Sequence, residues 1–439
     1  MPPKNHKSVY ICNMREDFVH FIWQQKLWNF TGALCQSGQS IQVFDNGVLN
    51  HDAGPDFAQA RLAIDNQSWA GNVEMHLKAS DWKLHKHSED LRYHNVILHV
   101  VWHDDGYRIM RPDGTEVPTL EIGPLVPPDI QENYKNLYQQ LDSIPCAKLG
   151  PAQYEISMSS ALHRALADRM ITKAARFEVM AAEYKNDWQE VFYKAIAKYM
   201  GMKVNAEAME ELAKRVPNDL LAKNKQSIFA LEALLFGQAG FLNGHEIDDY
   251  HGKLKKEYAY IKAKHGLESM ESINWKFSRM RPPNFPTVRI AQLANLIFYQ
   301  LHMFSKIVNE KNVMAIKLMF ETEASEYWQS HFRFGVESKK RTKKLGESTI
   351  NSLIINVIAP ILFAYGNHRS DEVMKNQAFD LLELIEAEDN KYTRNYTAVG
   401  FPNRNAYESQ ALLGLRELYC EPRMCTKCAI GIKLLMAKT

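Results

Sequence analysis

The hydrophobic period of this chain changes near residue 125, and that change limits what it can fold into. Before it, short apolar runs alternate with turn residues as strands do; after it, apolar residues recur every three to four positions, as on one face of a helix. The pattern predicts an α/β region followed by an all-α region. The expected boundaries are an α/β domain over 1–128, a linker and connecting helix over 129–156, and a helical domain over 157–439 that ends in a cysteine cluster. At 439 residues and 46% hydrophobic content there is enough apolar surface for cores of that size.

Within the first region, Glu16 to Leu34 places Phe18, Ile22, Trp23, Leu27 and Phe30 at helical spacing. Asp45-Asn46-Gly47 predicts a hairpin turn inside a strand-like stretch from Ser40 to Asn50. Further strands are expected at 58–64, 72–80 and 95–102, the last (NVILHVVW) apolar enough to be interior. The polar segment 81–93 is expected to be helical, so the order reads α, β, β, β, α, β. Past Pro124, Pro127 and Pro128, a connecting helix over 129–141 precedes about ten helices. No period of 20 to 50 residues recurs, so the helical part is not a solenoid. Phe236-Gly237-Gln238-Ala239-Gly240 inside an apolar helix predicts close helix packing, with Gln238 as a buried polar group needing a partner.

Glu74, His76 and Lys78 occupy alternate positions of VEMHLK, so a strand there turns all three to one face. Upstream, GPDF places Asp56 beside Pro55. A hard divalent cation such as Mg²⁺ takes carboxylate oxygens, and Asp56 and Glu74 on adjacent strands would offer two. The cation lowers the pKa of a bound water and stabilises charge on a scissile phosphate, while His76 or Lys78 would orient or deprotonate that water. Seven of the sixteen histidines lie between His51 and His103. His85 and His87, with Asp81 or Asp90, form an alternative zinc set, although H-x-H lacks the i, i+4 spacing that converges on a helix face. His94, His99 and His103, like Trp69, Trp82 and Trp102, read as core or surface residues.

The Pro55-Asp56 pair and Glu74, within that element order, resemble the PD-(D/E)XK nuclease superfamily and its restriction-endonuclease-like fold over residues 15–105. The resemblance implies Mg²⁺ or Mn²⁺ held by Asp56 and Glu74, with Glu16 of the first helix as a further ligand, and DNA or RNA as substrate. It also implies a Lys where residue 76 is His, so that Lys78 or His76 itself takes the role, or the site has lapsed into a nucleic-acid or protein-binding module. A second resemblance covers most of the chain. GPDF, GNVEMHLKASDW, NVILHVVW, LEALLFGQAGFL, RPPNFPTVRIAQLA and YCEPRMCTKCAIG are similar to a bacterial family known as domain of unknown function 2851.

Cys420, Cys425 and Cys428 give C-x4-C-x2-C, a spacing suited to zinc or an iron-sulfur cluster, with Cys146 as the first candidate fourth ligand and Cys35 and Cys12 behind it. The layout resembles that of some nucleases of the same superfamily. The opposing readings are thiols that only pack, and a metal-stabilised helical scaffold without phosphodiester chemistry. Sparse cysteines, no apolar leader, and an apolar stretch at 354–365 broken by Asn356 and Pro360 place the chain in the cytoplasm, away from membranes. With 53 basic against 51 acidic side chains, any nucleic acid has to be held by local patches. The candidates are 339–344 (KKRTKK), Arg279, Arg281 and Arg289, and Arg394 with Arg404 and Tyr396.

Overall fold

A computed structural model describes residues 14–111, 114–300 and 302–438. The chain divides into two compact units, residues 1–161 with 419–439, and residues 162–418. The α/β and all-α parts follow one another as expected. The carboxyl-terminal cysteine segment, however, groups with the first unit. Asn133 of helix Pro128–Tyr138 fastens it there, donating to the carbonyls of Leu435 (3.2 Å) and Ala437 (2.8 Å).

The first unit is built on a mixed sheet of β1 (Ile41–Asp45), β2 (Val48–Leu49), β3 (Phe57–Ile64), β4 (Gln67–Lys78), β5 (Val96–His103) and β6 (Thr119–Glu121). The order is β1-β3-β4-β5-β6, with β2 also on β3. β1, β2 and β4 run antiparallel to β3, whereas β5 runs parallel to β4 and β6 parallel to β5. β5 is buried from Val96 to Trp102, as its unbroken apolar run predicts. Helix α1 (Glu16–Gln24) buries Phe18, Phe21, Ile22 and Trp23, and the Phe18 ring lies 5.6 Å from Trp102 and 3.9 Å from Tyr134.

Three local expectations change. α1 stops at Gln24, well short of Leu34, because Lys26 turns into the left-handed region (φ 54°) and leaves Phe30 and Leu34 exposed. Asp45-Asn46-Gly47 makes a bend rather than a hairpin. Gly47 sits at φ 82°, its N–H donates to Asp45 Oδ1, and β1 and β2 pair in series along β3 instead of with each other. Asn46 and the Trp23 indole also bond to each other's backbone, so the bend is stitched to α1. The segment 81–93 holds only one α-helical turn, α2 (Asp81–Leu84), followed by two 3₁₀ turns.

In the second unit Gly237 and Gln238 behave as the packing argument requires. A Cβ on Gly237 would stand 2.1 Å from the Tyr258 ring, and Gln238 Nε2 donates to Tyr258 OH at 2.8 Å. Helical structure runs without interruption from Glu347 to Arg369, long and apolar enough to cross a membrane; 72% of its most apolar window is buried, as in a core helix.

Candidate functional site

The alternation along β4 turns Glu74 and His76 to one face, where both are buried. Asp56, at the start of β3, is interlocked with this strand. Its backbone N–H donates to Glu74 Oε2 (3.0 Å), and its own Oδ2 accepts from the Met75 N–H (2.9 Å). Pairing of the two strands therefore presses two carboxylates together. His20 of α1 brings Nε2 to 3.2 Å from Asp56 Oδ2, and Glu16, one turn earlier, feels the charges of His85, Asp56 and His20.

Segment 81–93 folds back over the same face and delivers two more imidazoles. His87 Nε2 lies 3.1 Å from Glu74 Oε1, His85 Nδ1 lies 3.1 Å from His76 Nε2, and His87 Nε2 lies 3.3 Å from that same His76 nitrogen. Among the described residues, His76, His85 and His87 form the group whose ligand atoms all lie within 4.8 Å of one another. The other nitrogen of His76 meets His99 Nε2 at 2.8 Å, a contact of the kind that fixes the ring of a metal ligand. Tyr93 stacks on His87 at 3.9 Å, and Trp82 packs edgewise against His76, His87 and His99.

H-x-H converges here because it is not helical. Lys86, between the two histidines, sits at φ 59° and reverses the chain locally. A left-handed conformation costs a residue with Cβ roughly 1–2 kcal/mol, which the surrounding contacts offset. Lys86→Gly is therefore expected to keep cation affinity and stability, whereas Lys86→Val should lower both, with stability down by about 1–2 kcal/mol in chemical denaturation. Equal behaviour of the two variants would show that this turn does not hold the cluster together.

Electrostatics sets the resting protonation. Burial, then the Asp56 charge, pushes the Glu74 carboxyl up to about 9. Burial, then the neighbouring imidazoles, pushes His76 down to about 2, and burial pushes His99 down to about 3. For His20 burial opposes the imidazolium, but the contact with Asp56 and the charges of Asp56, Glu16 and Glu74 outweigh it and raise the pKa. His76 and His87, whose pKa values burial lowers, present imidazole nitrogens beside Asp56 and Glu74, a donor set for a divalent cation whose charge would let Glu74 ionise.

Of the residues expected at the site, Asp56, Glu74 and His76 come together and Glu16 faces them. Lys78 is exposed at the end of β4, where its N–H bonds Asp81 Oδ2. Asp81 accepts from the Lys78 N–H and Asp90 pairs with Arg92; the Asp90 charge still acts on His87, but the group of close ligand atoms is His76, His85 and His87 without either carboxylate. His20, His85, His87 and Tyr93 complete the site. The sequence singled out His85 and His87 as a separate zinc set and gave no signal for His20 or Tyr93, and no sequence spacing reports the fold-back that brings the two histidines to Glu74 and His76. His99 is a core residue as expected, yet it also positions His76.

Cys146, Cys425 and Cys428 are near enough to act on one another electrostatically, and burial pushes the Cys146 and Cys425 thiols up to about 12. Cys420 is buried in the turn before them, Cys35 instead meets Ser37 Oγ, and Cys12 lies outside the described residues. Among the basic candidates, Lys343 is buried with its ammonium on the Trp328 and Gln329 carbonyls, Arg289 is buried, and Arg404 and Arg394 pair with Glu408 and Asp389.

The model of a family described as "Protein of unknown function (DUF2851)" matches residues 16–391. No curated protein and no solved structure matches the chain.

Proposed function

The chain belongs to the DUF2851 family, and we propose that its first unit is a divalent-metal-dependent nuclease that hydrolyses phosphodiester bonds. The observation that carries this reading is the interlocked pair of Asp56 and Glu74, two carboxylates held together by each other's strand and faced by imidazoles rather than by lysine or arginine. Such a pair binds a cation better than it tolerates its own charge. The sequence of elements, with β5 returning parallel to β4 after the 81–93 crossover, supports a restriction-endonuclease-like fold.

Asp56 and Glu74 would hold the cation, with Glu16 at the side of the helix. His76, His85 or His87 would complete the set. Imidazole donors shift the preference from Mg²⁺ toward transition ions, of which Mn²⁺ is the one that also suits the carboxylates. Bound there, the cation supplies an acidified water and a charge against the phosphate. The chain's own groups do the rest. His76, fixed by His99 in the place where the resembled nucleases use lysine, stays neutral at working pH because burial holds its pKa at about 2. It would therefore serve as a ligand or accept a hydrogen bond that orients the water rather than hold the water's proton, while Trp82 packs against His76 and Tyr93 against His87.

A catalytically lapsed module that binds nucleic acid or protein is the rival, and the exposed position of Lys78 favours it. The deciding experiment is cleavage of single- and double-stranded DNA and RNA with Mg²⁺, Mn²⁺ or chelator, by wild type and Glu74→Gln. Cleavage that requires metal and is lost in the variant supports the enzyme. Binding without cleavage supports the rival, and identical cleavage by both proteins removes Glu74 from the chemistry.

A further inference from the structure

The second unit contains a cleft of about 750 Å³ bounded by helices Glu155–Glu183, Trp188–Met200 and Met202–Arg215 and by the start of the Glu347–Arg369 helical run. Its size is that of a small-molecule site. Five basic side chains line it (Arg176, Lys194, Lys198, Lys203 and Lys214) against two acidic ones, Glu183 and Glu210. Glu210 is shared by Lys198 (2.7 Å) and Lys214 (3.8 Å), so one carboxylate serves two ammonium groups. Lys194 is satisfied by Glu190, and Arg176 donates to the Asn356 carbonyl at 2.6 Å. Lys203 is exposed at the rim. The walls also present Phe177, Tyr184 and Tyr199, with the hydroxyls of Ser348, Thr349 and Ser352.

Departures from regular backbone converge on this cleft. Met202, a wall residue, is held at φ 54°, and the helix it begins is kinked at Asn205. Residues 354–358, which contribute Val357 to the lining, form a π-helical turn. Such turns and left-handed residues carry a local cost and concentrate at binding sites. The π turn presents Asn356, whose Oδ1 accepts from the buried Lys173 ammonium (2.9 Å) and whose Nδ2 donates to Tyr199 OH (3.2 Å). Lys173 also reaches Gln410 at 2.6 Å, and burial, then the Arg169 charge, holds its pKa down at about 7. Behind Met202 lies Arg289, a buried guanidinium 4.0 Å from the Met202 sulfur, bonded to the neutral Asn284 and Gln292 and with no carboxylate partner among the described residues. A buried guanidinium, Arg289, and a buried amine that is about half protonated at neutral pH, Lys173, therefore stand behind residues of a cleft whose lining is already basic.

We propose that this cleft binds a phosphate-bearing aromatic ligand, a nucleotide, with Lys203, Lys198 and Arg176 on the phosphates and the Tyr184 and Tyr199 side against the base. The ligand supplies the negative charge the walls lack, and a planar base suits the aromatic side of the cleft, where the Lys194 ammonium already lies 4.7 Å over the Tyr184 ring, as a bare anion does not. This site is separate from the Asp56–Glu74 centre and does not depend on that reading.

The test is isothermal titration of the full chain with ATP, AMP and inorganic phosphate in chelator, so that no cation places the ligand at the first unit, and in a Glu74→Gln background as a further control. The expected result is saturable nucleotide binding, tighter than that of phosphate, weakened at least about tenfold by the exposed charge reversal Lys203→Glu and by Arg176→Ala, with circular dichroism unchanged. Three results would overturn it: no saturable binding at millimolar nucleotide, phosphate binding as tightly as nucleotide, or binding indifferent to both substitutions in a folded protein.

Discussion

Glu74→Gln is expected to lower metal-dependent cleavage on the order of 1,000-fold, because a metal's charge stabilisation at the transition state is worth several kcal/mol and each 1.36 kcal/mol is about tenfold in rate. The same substitution should not harm the metal-free fold. With its carboxyl pushed up to about 9, Glu74 is protonated in the folded protein at neutral pH, and glutamine keeps both its shape and an oxygen to accept the Asp56 N–H. Linkage gives the sign. A carboxyl whose pKa is raised on folding contributes stability that is full below its unfolded value of 4.5 and is lost as pH rises toward about 9. Metal-free wild type should therefore melt lower as pH rises from 5 to 9, and Glu74→Gln should flatten that decline. Added Mn²⁺ should restore wild type increasingly over the same window, by about 2.7 kcal/mol when the ion is at 100 times its Kd. Calorimetry with and without chelator measures both. A decline in the variant as steep as in wild type would place the pH sensitivity elsewhere.

The largest purely structural effect is expected from Gly237→Ala. In an open helix the change gains up to about 1 kcal/mol. Here the new Cβ would stand 2.1 to 2.4 Å from three carbons of the Tyr258 ring. The ring cannot easily recede, because its hydroxyl is held by Gln238 (2.8 Å) and Ser269 (2.9 Å). Overpacking of this kind costs roughly 1–3 kcal/mol or more, so the steric cost wins, with a net loss of about 2 kcal/mol. At about 2–4 °C per kcal/mol for a unit of this size, the melting temperature should fall by roughly 4–8 °C. Gly237→Ala with Tyr258→Leu should recover part of the loss. An unchanged melting temperature in the single variant would mean the two helices separate at little cost.

Both predictions rest on positions that were legible before the structure. Glu74 stood out because a period of two puts it with His76 on one face, and Gly237 because glycine in an apolar helix needs a steric reason. The less legible parts share a physical character. α1 ends early, and His85 and His87 converge, through lysines at positive φ, Lys26 and Lys86, which no residue preference announces. The bend at Asn46 read as a hairpin because the turn chemistry is the same; what differs is which strand the flanking residues find.

The sequence by itself determined the change from strand to helix patterning and the interior strand β5, which follow from periodicity, the candidacy of Asp56 and Glu74, which lie on neighbouring strands, and the family, which is carried by motif blocks spread along the chain. Only the tertiary structure decided that 419–439 returns to the first unit, that Lys78 leaves the site while His20, His85 and His87 enter it, and that a basic cleft forms among four helical segments. Those outcomes depend on contacts between segments far apart in sequence or on single backbone reversals, and neither leaves a repeating mark on the chain.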